Sequence, residues 1–294
     1  MRGWLDPKMD FVFKNIFGRE KHPNILISFL NATLKPKDLI TAVEIKNTDL
    51  NKGYIEDKFS RLDVKATTSN NEIINIEIQL KNEYNMIKRS LFYWSKLYSE
   101  QLNEGEDYSV LKRTICINIL NFKYLKTRKF HSGYRLKEIY SNEELTDVAE
   151  IHFIEIPKLE EGTDEKDMLV AWIEFLKNPE SEKVRSLEMS IDEIREAKDE
   201  LIRMSNDDTQ RELYEMRAKT LKDKISALNE AERKGIKKGR QEGIKEGLQK
   251  GIQEGEKSKA IEIAKSLINI GLDKETISKS TGLDLNEIEK LMSK

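Results

Sequence analysis

The sequence predicts an α/β protein whose first half carries a mixed sheet and whose second half is all helical. Three observations predict it. Residues 61–80, RLDVKATTSNNEIINIEIQL, alternate apolar and polar side chains on either side of a small polar break, as a β-hairpin does. Helical periodicity flanks the hairpin on both sides, and further strand-like runs follow it, an order that fits a mixed sheet. Beyond about Lys158 the strand signal disappears, and Glu, Lys and Leu recur at helical spacing.

In chain order, DFVFKNIFG sets Phe13 and Phe17 four apart, and HPNILISFLNATL sets Ile27, Leu30 and Leu34 at helical spacing. LITAVEIK reads as a strand ahead of the hairpin. MIKRSLFYWSKLYSEQLNEG reads as a helix with Ile87, Leu91, Trp94 and Tyr98 on one stripe and Gly105 as its stop. SVLKRTICINILNF and EIHFIEIP are strands, with a third in FHSGYRLKEIY between them. In the second half DMLVAWIEFL, SIDEIREAKDELIRM and a run from Asp208 to Arg233 are helices, and SNDD supplies a break and a cap.

Gly235, Gly239, Gly243, Gly247, Gly251 and Gly255 then recur at every fourth position. Each step of four turns an α-helix by about 400°, so the glycines wind around it rather than forming a straight seam. Each also costs about 1 kcal/mol relative to alanine. Lys, Arg, Glu and Gln between them exclude a membrane-packing motif. A helical spacer is expected, with a close-packed oligomer seam as the alternative. The end of the chain resembles two short helices divided by TGLD, in the manner of a helix-turn-helix. Its second helix carries Asp284, Glu287 and Glu289 against Lys290, a balance that favours a protein contact or capping over phosphate contact. The expected organisation is a core over 1–160, a helical extension over 161–233, a glycine-rich spacer over 234–257 and a small helical tail over 258–294.

With 294 residues and 38% hydrophobic content the chain can bury a sizeable core. Its one cysteine, Cys116, sits in the apolar run TICINIL, excludes a disulfide framework and reads as a buried thiol. The sequence carries neither a charged-then-apolar leader pattern nor an apolar run near the ~18 residues of a membrane span, so a cytoplasmic protein is expected. Its 51 basic and 53 acidic side chains leave a formal charge of −2, so a polyanion has to be met by a local patch. From Lys112 to Lys137 the chain carries Arg113, Lys123, Lys126, Arg128, Lys129 and Arg135 among others, no acidic residue, and Phe122, Tyr124, Phe130 and Tyr134 between them. Such a stretch suits contact with a nucleic-acid backbone; a solvated strand pair with core aromatics is the plainer alternative.

Within the hairpin, alternation puts Arg61, Asp63, Lys65 and Thr67 on one face, together with Asn75, Glu77, Gln79 and Lys81. A three-residue loop at Ser69, Asn70 and Asn71 pairs Thr68 with Glu72 and sets Asp63 opposite Glu77, where Cβ atoms lie only ~5 Å apart. Two carboxylates that close repel unless a cation joins them. A hard divalent ion such as Mg²⁺ suits the pair, with water and substrate phosphate completing its shell. Such an ion supports phosphodiester hydrolysis. Gln79 projects to the same side and is a candidate to orient water; Lys65 and Lys81 are candidates to supply positive charge. Alternatively the two acids pair with Lys65 and Lys81 on a solvated face.

DPKMDFVFKNIFG, LISFLNATL, RLDVKA, NIEIQL, KRSLFYWSKLYSEQLNEGEDY and EIHFIEIPKL, in that order, resemble the PD-(D/E)XK nuclease superfamily and, more narrowly, the recombination-promoting nuclease (Rpn) group often labelled transposases. The glycine run and the tail IGLDKETISKSTGLDLNEI are similar to the ends of many Rpn proteins. The resemblance implies a restriction-endonuclease-like core and a metal-dependent DNA endonuclease tied to recombination, with Mg²⁺ as cofactor and Mn²⁺ or Ca²⁺ as substitutes. It puts the motif aspartate on Asp63, the glutamate on Glu77 and the lysine position on Gln79. Asp63, Glu77 and Asp10 are the metal-ligand candidates; Asp63, Glu77, Gln79 and Lys81 the catalytic ones; Lys123, Lys126, Arg128, Lys129 and Arg135 the DNA contacts. Asp10 could equally pair with Lys14, four residues on. Gln79 departs from the family's lysine and leaves positive charge to Lys81, Lys65 or the ion; an inactive copy that binds DNA or assembles is the alternative. DNA is the expected partner, a membrane is not, and a homo-oligomer through the C-terminal helices stays open.

Overall fold

The computed structural model describes residues 3–46, 63–160, 162–163 and 167–293. Arg61 and Leu62 of the hairpin lie outside the described residues. Helices α1 (Asp10–Phe17) and α2 (Pro23–Leu34) precede strands β1 (Val43–Lys46), β2 (Val64–Thr68) and β3 (Ile73–Gln79). Helix α3 (Met86–Ser99) leads to β4 (Thr114–Leu120), β5 (His131–Lys137) and β6 (Glu144–Glu155). Then come α4 (Met168–Lys177), α5 (Glu182–Glu188), α6 (Asp192–Asn206), α7 (Asp208–Asn269), α8 (Lys274–Thr281) and α9 (Leu285–Met292).

The strands form one mixed six-stranded sheet in the order β1-β2-β3-β4-β6-β5, the α/β architecture expected. β1, β2 and β3 pair antiparallel, β3, β4 and β6 parallel, and β5 closes the far edge antiparallel to β6. Parallel neighbours need a crossover, and α3 supplies the one between β3 and β4.

One face of the sheet is apolar because alternate strand residues are: Val64, Ala66, Ile74, Ile76, Ile78, Ile115, Ile117, Ile119 and Ile154. It packs on α1, α2, α4 and α6, with Phe17 at the centre, its ring 4.5 Å from Phe13, 5.5 Å from Phe29 and 5.3 Å from Trp172. Leu169, Trp172, Ile173, Phe175, Leu176, Val184, Ile194, Ala197, Leu201 and Met204 are buried in this same core, and one compact unit runs to Leu221. The residues expected as an extension therefore complete the sheet's hydrophobic layer: the apolar stripes of α4 and α6 find their burial on α1 and α2. The N-terminal segment is tied to them. The Leu5 N–H donates to Ser205 Oγ (3.0 Å), the Asp6 N–H to the Tyr214 hydroxyl (3.4 Å) and Lys8 Nζ to the Leu176 carbonyl (3.0 Å). The expected cap between α6 and α7 is Asp207, whose carboxylate accepts the Gln210 N–H at 3.0 Å.

The other face is covered by α3, and its buried stripe differs from the expected one. Met86, Ser90, Tyr93 and Leu97 face the sheet, whereas Ile87 and Leu91 are exposed. The layer beneath α3 contains Asn75, Glu77 and Asn118, so a polar residue is buried with them: the Ser90 hydroxyl donates to Asn118 Oδ1 at 2.7 Å. The helix stops at Ser99, well before Gly105, which serves instead in a turn with φ +85°.

A second compact unit begins at Lys222. Within it the glycine run is continuous helix, part of α7, and a Cβ added at any of the six glycines meets nothing within 4 Å. Ala264, Ile277, Leu283 and Ile288 form a small core joining the end of α7 to α8 and α9. Asp273 and Asp284 cap α8 and α9 by accepting the Thr276 (2.9 Å) and Glu287 (2.8 Å) N–H groups, and Gly282 supplies the left-handed turn between them.

Candidate active site

The hairpin closes with the register its sequence calls for. The Thr68 N–H donates to the Glu72 carbonyl (3.0 Å), the Asn71 N–H to the Thr68 carbonyl (2.9 Å), and Val64 lies opposite Ile76. One step along that register faces Asp63 toward Glu77. Asp63 Oδ2 accepts the Ile78 N–H at 2.8 Å, which anchors it to the neighbouring strand. Glu77 is only 2% exposed, because α3 roofs this face of the sheet.

Burial withdraws water from both acids, so both are held well above the usual carboxylate range. For Asp63 the Ile78 N–H and the charges of Arg89 and Lys14 work against burial, and Asp10 adds to it. For Glu77 the Asp63 charge adds to burial, and Arg89 opposes it. Arg89 Nη2 donates to Glu77 Oε2 at 3.2 Å, while Glu77 Oε1 is buried without a hydrogen-bond partner. The arginine comes from the first turn of α3, with its guanidinium 5.4 Å from the centre of the buried Tyr93 ring. Sequence reading missed Arg89. Its signal is the pair Arg89 and Tyr93 at i,i+4, visible only once α3 is turned so that Ser90 rather than Leu91 faces inward.

The other expected site residues are distributed as follows. Gln79 ends β3, half-buried and on the Glu77 side by alternation, and Lys81 follows it half-buried. Lys65 pairs with Glu100 at 3.5 Å, so it does not offset Glu77 as one reading of the face had it. Asp10 pairs with Arg217 of α7 at 3.2 Å, and its charge reaches Asp63. Cys116 is the buried thiol expected, pushed up to about 12 by burial and by Glu77.

The basic stretch divides. Arg113 donates to Glu72 (3.0 Å) and Glu150 (2.7 Å), and Arg135 to Glu150 and to Glu144 (2.9 Å). Arg135, expected among the DNA contacts, is thus paired with two acids of its own sheet. Lys123, Lys126, Arg128 and Lys129 are exposed on the β4–β5 connection and ion-pair with no described residue. In the tail, Glu287 pairs with Lys257 (2.5 Å) and Glu289 with Lys274 (2.7 Å), so the acids of α9 are neutralised internally and weigh less against phosphate than their number alone indicates.

Fold, paired acids and three-helix tail can now be set beside known families. The model of the PD-(D/E)XK nuclease family transposases matches residues 7–231. The chain belongs to this family. The Rpn/YhgA-like nuclease family's C-terminal HTH domain matches 257–293, the unit formed by the end of α7 with α8 and α9. No curated protein and no solved structure matches the chain. A PD-(D/E)XK assignment also implies a divalent ion. Among the described residues no group of three or more His, Cys, Asp or Glu is placed to hold one. The donors that do converge, two carboxylates under-supplied with positive charge, one of them with an orphaned buried oxygen, suit a hard ion that takes most of its shell from water and phosphate. No helix among the described residues is long and apolar enough to cross a membrane.

Proposed function

We propose that this PD-(D/E)XK family member is a divalent-metal-dependent DNA endonuclease acting in recombination or on mobile DNA. The observation that carries the reading is the opposition of Asp63 and Glu77 with Glu77 Oε1 left unpartnered. Asp63 and Glu77 would hold the ion, with Asp10 adding negative charge from α1. When bound, Mg²⁺ or Mn²⁺ lowers the pKa of its water and stabilises charge developing on phosphorus. Glu77 Oε1 is the unpartnered acceptor, while Arg89 holds Oε2 and orients the carboxylate. Gln79, in the family's lysine position, orients water by hydrogen bonding and carries no charge. Lys81, two residues beyond Gln79 and on the same face by alternation, is the cation proposed to meet the scissile phosphate. α3 excludes solvent behind the pair, which strengthens each of these interactions.

Asp63→Ala is expected to abolish Mg²⁺- or Mn²⁺-dependent nicking of supercoiled plasmid with the far-UV CD spectrum unchanged; nicking at the wild-type rate would discard the assignment. A second reading, a non-cutting DNA-binding module that keeps the fold, draws on Gln79 and on the C-terminal HTH match. It predicts gel retardation of DNA with no cleavage across a panel of divalent ions.

A further inference from the structure

The β4–β5 connection, NFKYLKTRKF from Asn121 to Phe130, is built more firmly than its exposure suggests. Beneath it lies a buried ion pair, Lys158 with Glu155, whose side chains are 8% and 1% exposed. Lys158 Nζ donates to the carbonyls of Leu125 and Thr127 (2.7 Å each) and to Glu155 Oε1 (2.6 Å). Glu155 Oε2 in turn accepts the N–H groups of Tyr124 (2.5 Å) and Leu125 (3.2 Å). One lysine and one glutamate therefore satisfy four backbone groups of this connection. An ion pair is rarely buried without its hydrogen bonds met, and here the backbone meets them.

The aromatics of the stretch turn inward. Phe122 and Tyr124 stand with rings 6.3 Å apart, Tyr124 lies 6.4 Å from Phe153, and Phe130 packs against the main core. What the connection offers outward is Lys123, Lys126, Arg128 and Lys129. The carbonyls that Lys158 grips, at 125 and 127, flank Lys126, and both Lys126 and Arg128 are exposed. The connection also starts beside the acidic pair: the Asn121 N–H donates to the Gln79 carbonyl at 2.9 Å, and the Ile87 N–H at the start of α3 reaches the Tyr124 hydroxyl at 3.4 Å.

We infer that the β4–β5 connection is a pre-shaped phosphate clamp for duplex DNA, held in form by Lys158 and Glu155, and that it grips the backbone next to the Asp63–Glu77 pair without reading bases. The four cations match the phosphate backbone in charge. The inward aromatics leave no stacking platform for unpaired bases. Lys158 and Glu155 are positioning residues. The inference rests on the nuclease reading for its substrate, and its test separates the two.

The full-length chain is titrated into two labelled duplexes of unrelated sequence in EDTA, and affinity is followed against salt. Lys126→Ala with Arg128→Ala is expected to weaken binding to both duplexes alike and to flatten the log–log salt slope by about 2, near 0.9 per lost phosphate contact. Glu155→Gln with Lys158→Met leaves net charge and exposed charge unchanged, yet is expected to weaken binding to both duplexes at least fivefold. If that second variant does not fold, the surface pair alone decides. Unchanged affinity and slope in the surface pair, or loss on one duplex only, overturns the clamp; so does stronger binding of anionic vesicles than of duplex. Plasmid nicking abolished by Asp63→Ala, together with binding indifferent to the loop, overturns the clamp and spares the nuclease. Loop-dependent binding without nicking in any divalent ion does the reverse.

Discussion

Glu77 on β3 and Glu150 on β6 are both 2% exposed, on opposite faces of one sheet, yet they behave as opposites. Glu150 is ringed by Arg113, Arg135 and His152, the last at 2.6 Å. Burial alone would push its carboxyl up, but hydrogen bonds from His152 and Arg113 and their charges bring it down to about 2. Its neighbour His131, whose Nε2 lies 2.9 Å from His152 Nδ1, is pushed down to about 4, chiefly by burial and by the charge of His152. Glu77 has one arginine, a second carboxylate beside it and an unpartnered oxygen. The first acid is a finished structural joint. The second is short of positive charge, and that shortage, at equal burial, is what supports proposing a site there.

The largest effect is expected at the Glu150 joint. Arg113→Met removes the guanidinium that links Glu72 to Glu150 and is expected to destabilise the protein by about 2–3 kcal/mol, read as a lower urea midpoint. At the Glu77 end the sign reverses. Asp63 and Glu77 have native pKa values above their unfolded ones, so the native state binds the extra protons, and metal-free stability falls as pH rises from about 4 through the raised native values. Asp63→Asn keeps the acceptor for the Ile78 N–H and removes the charge. Its melting temperature in EDTA is expected to exceed wild type at pH 8, where 1 kcal/mol is worth about 2–4 °C for a unit of this size, and to match wild type near pH 4. Mg²⁺ is expected to raise the wild-type melting temperature more at pH 8 than at pH 5.5 and to do little for Asp63→Asn; equal metal shifts in both proteins would break the comparison. Lys65→Met is expected to have the smallest effect: its partly exposed pair with Glu100 predicts a change of about 1 kcal/mol or less in a urea titration.

The hairpin was legible because its rules are local. A five-residue polar break and period-two alternation fix the register, and the register alone faces Asp63 toward Glu77. The mixed sheet followed from strand runs separated by a helix. What lay above the hairpin was not legible. Ile87 and Leu91 look like the inward stripe of α3, but the helix covers a polar layer, so it buries Ser90 and delivers Arg89. Nor could the Glu150 joint be read, since its arginines arrive from β5 and from the residue before β4, and no sequence signal sets the offset between parallel strands. Helix α5 went unseen because EKVRSLE buries only Val184 and has no stripe; Ser181 starts it by accepting the Val184 N–H at 3.3 Å.

The ties from the N-terminal segment to α6 and α7 have a consequence for synthesis. Leu5 and its partner Ser205 are 200 positions apart, and Asp10, which sits near Asp63, waits 207 positions for Arg217. At ribosomal speeds of about 5–20 residues per second, roughly 10–40 s pass between emergence of the first member of each pair and the second. The nascent hairpin is made long before the helices that complete its surroundings. The charge around Asp63 therefore reaches its finished balance only after Arg217 has been made, late in the synthesis of the compact unit that ends at Leu221.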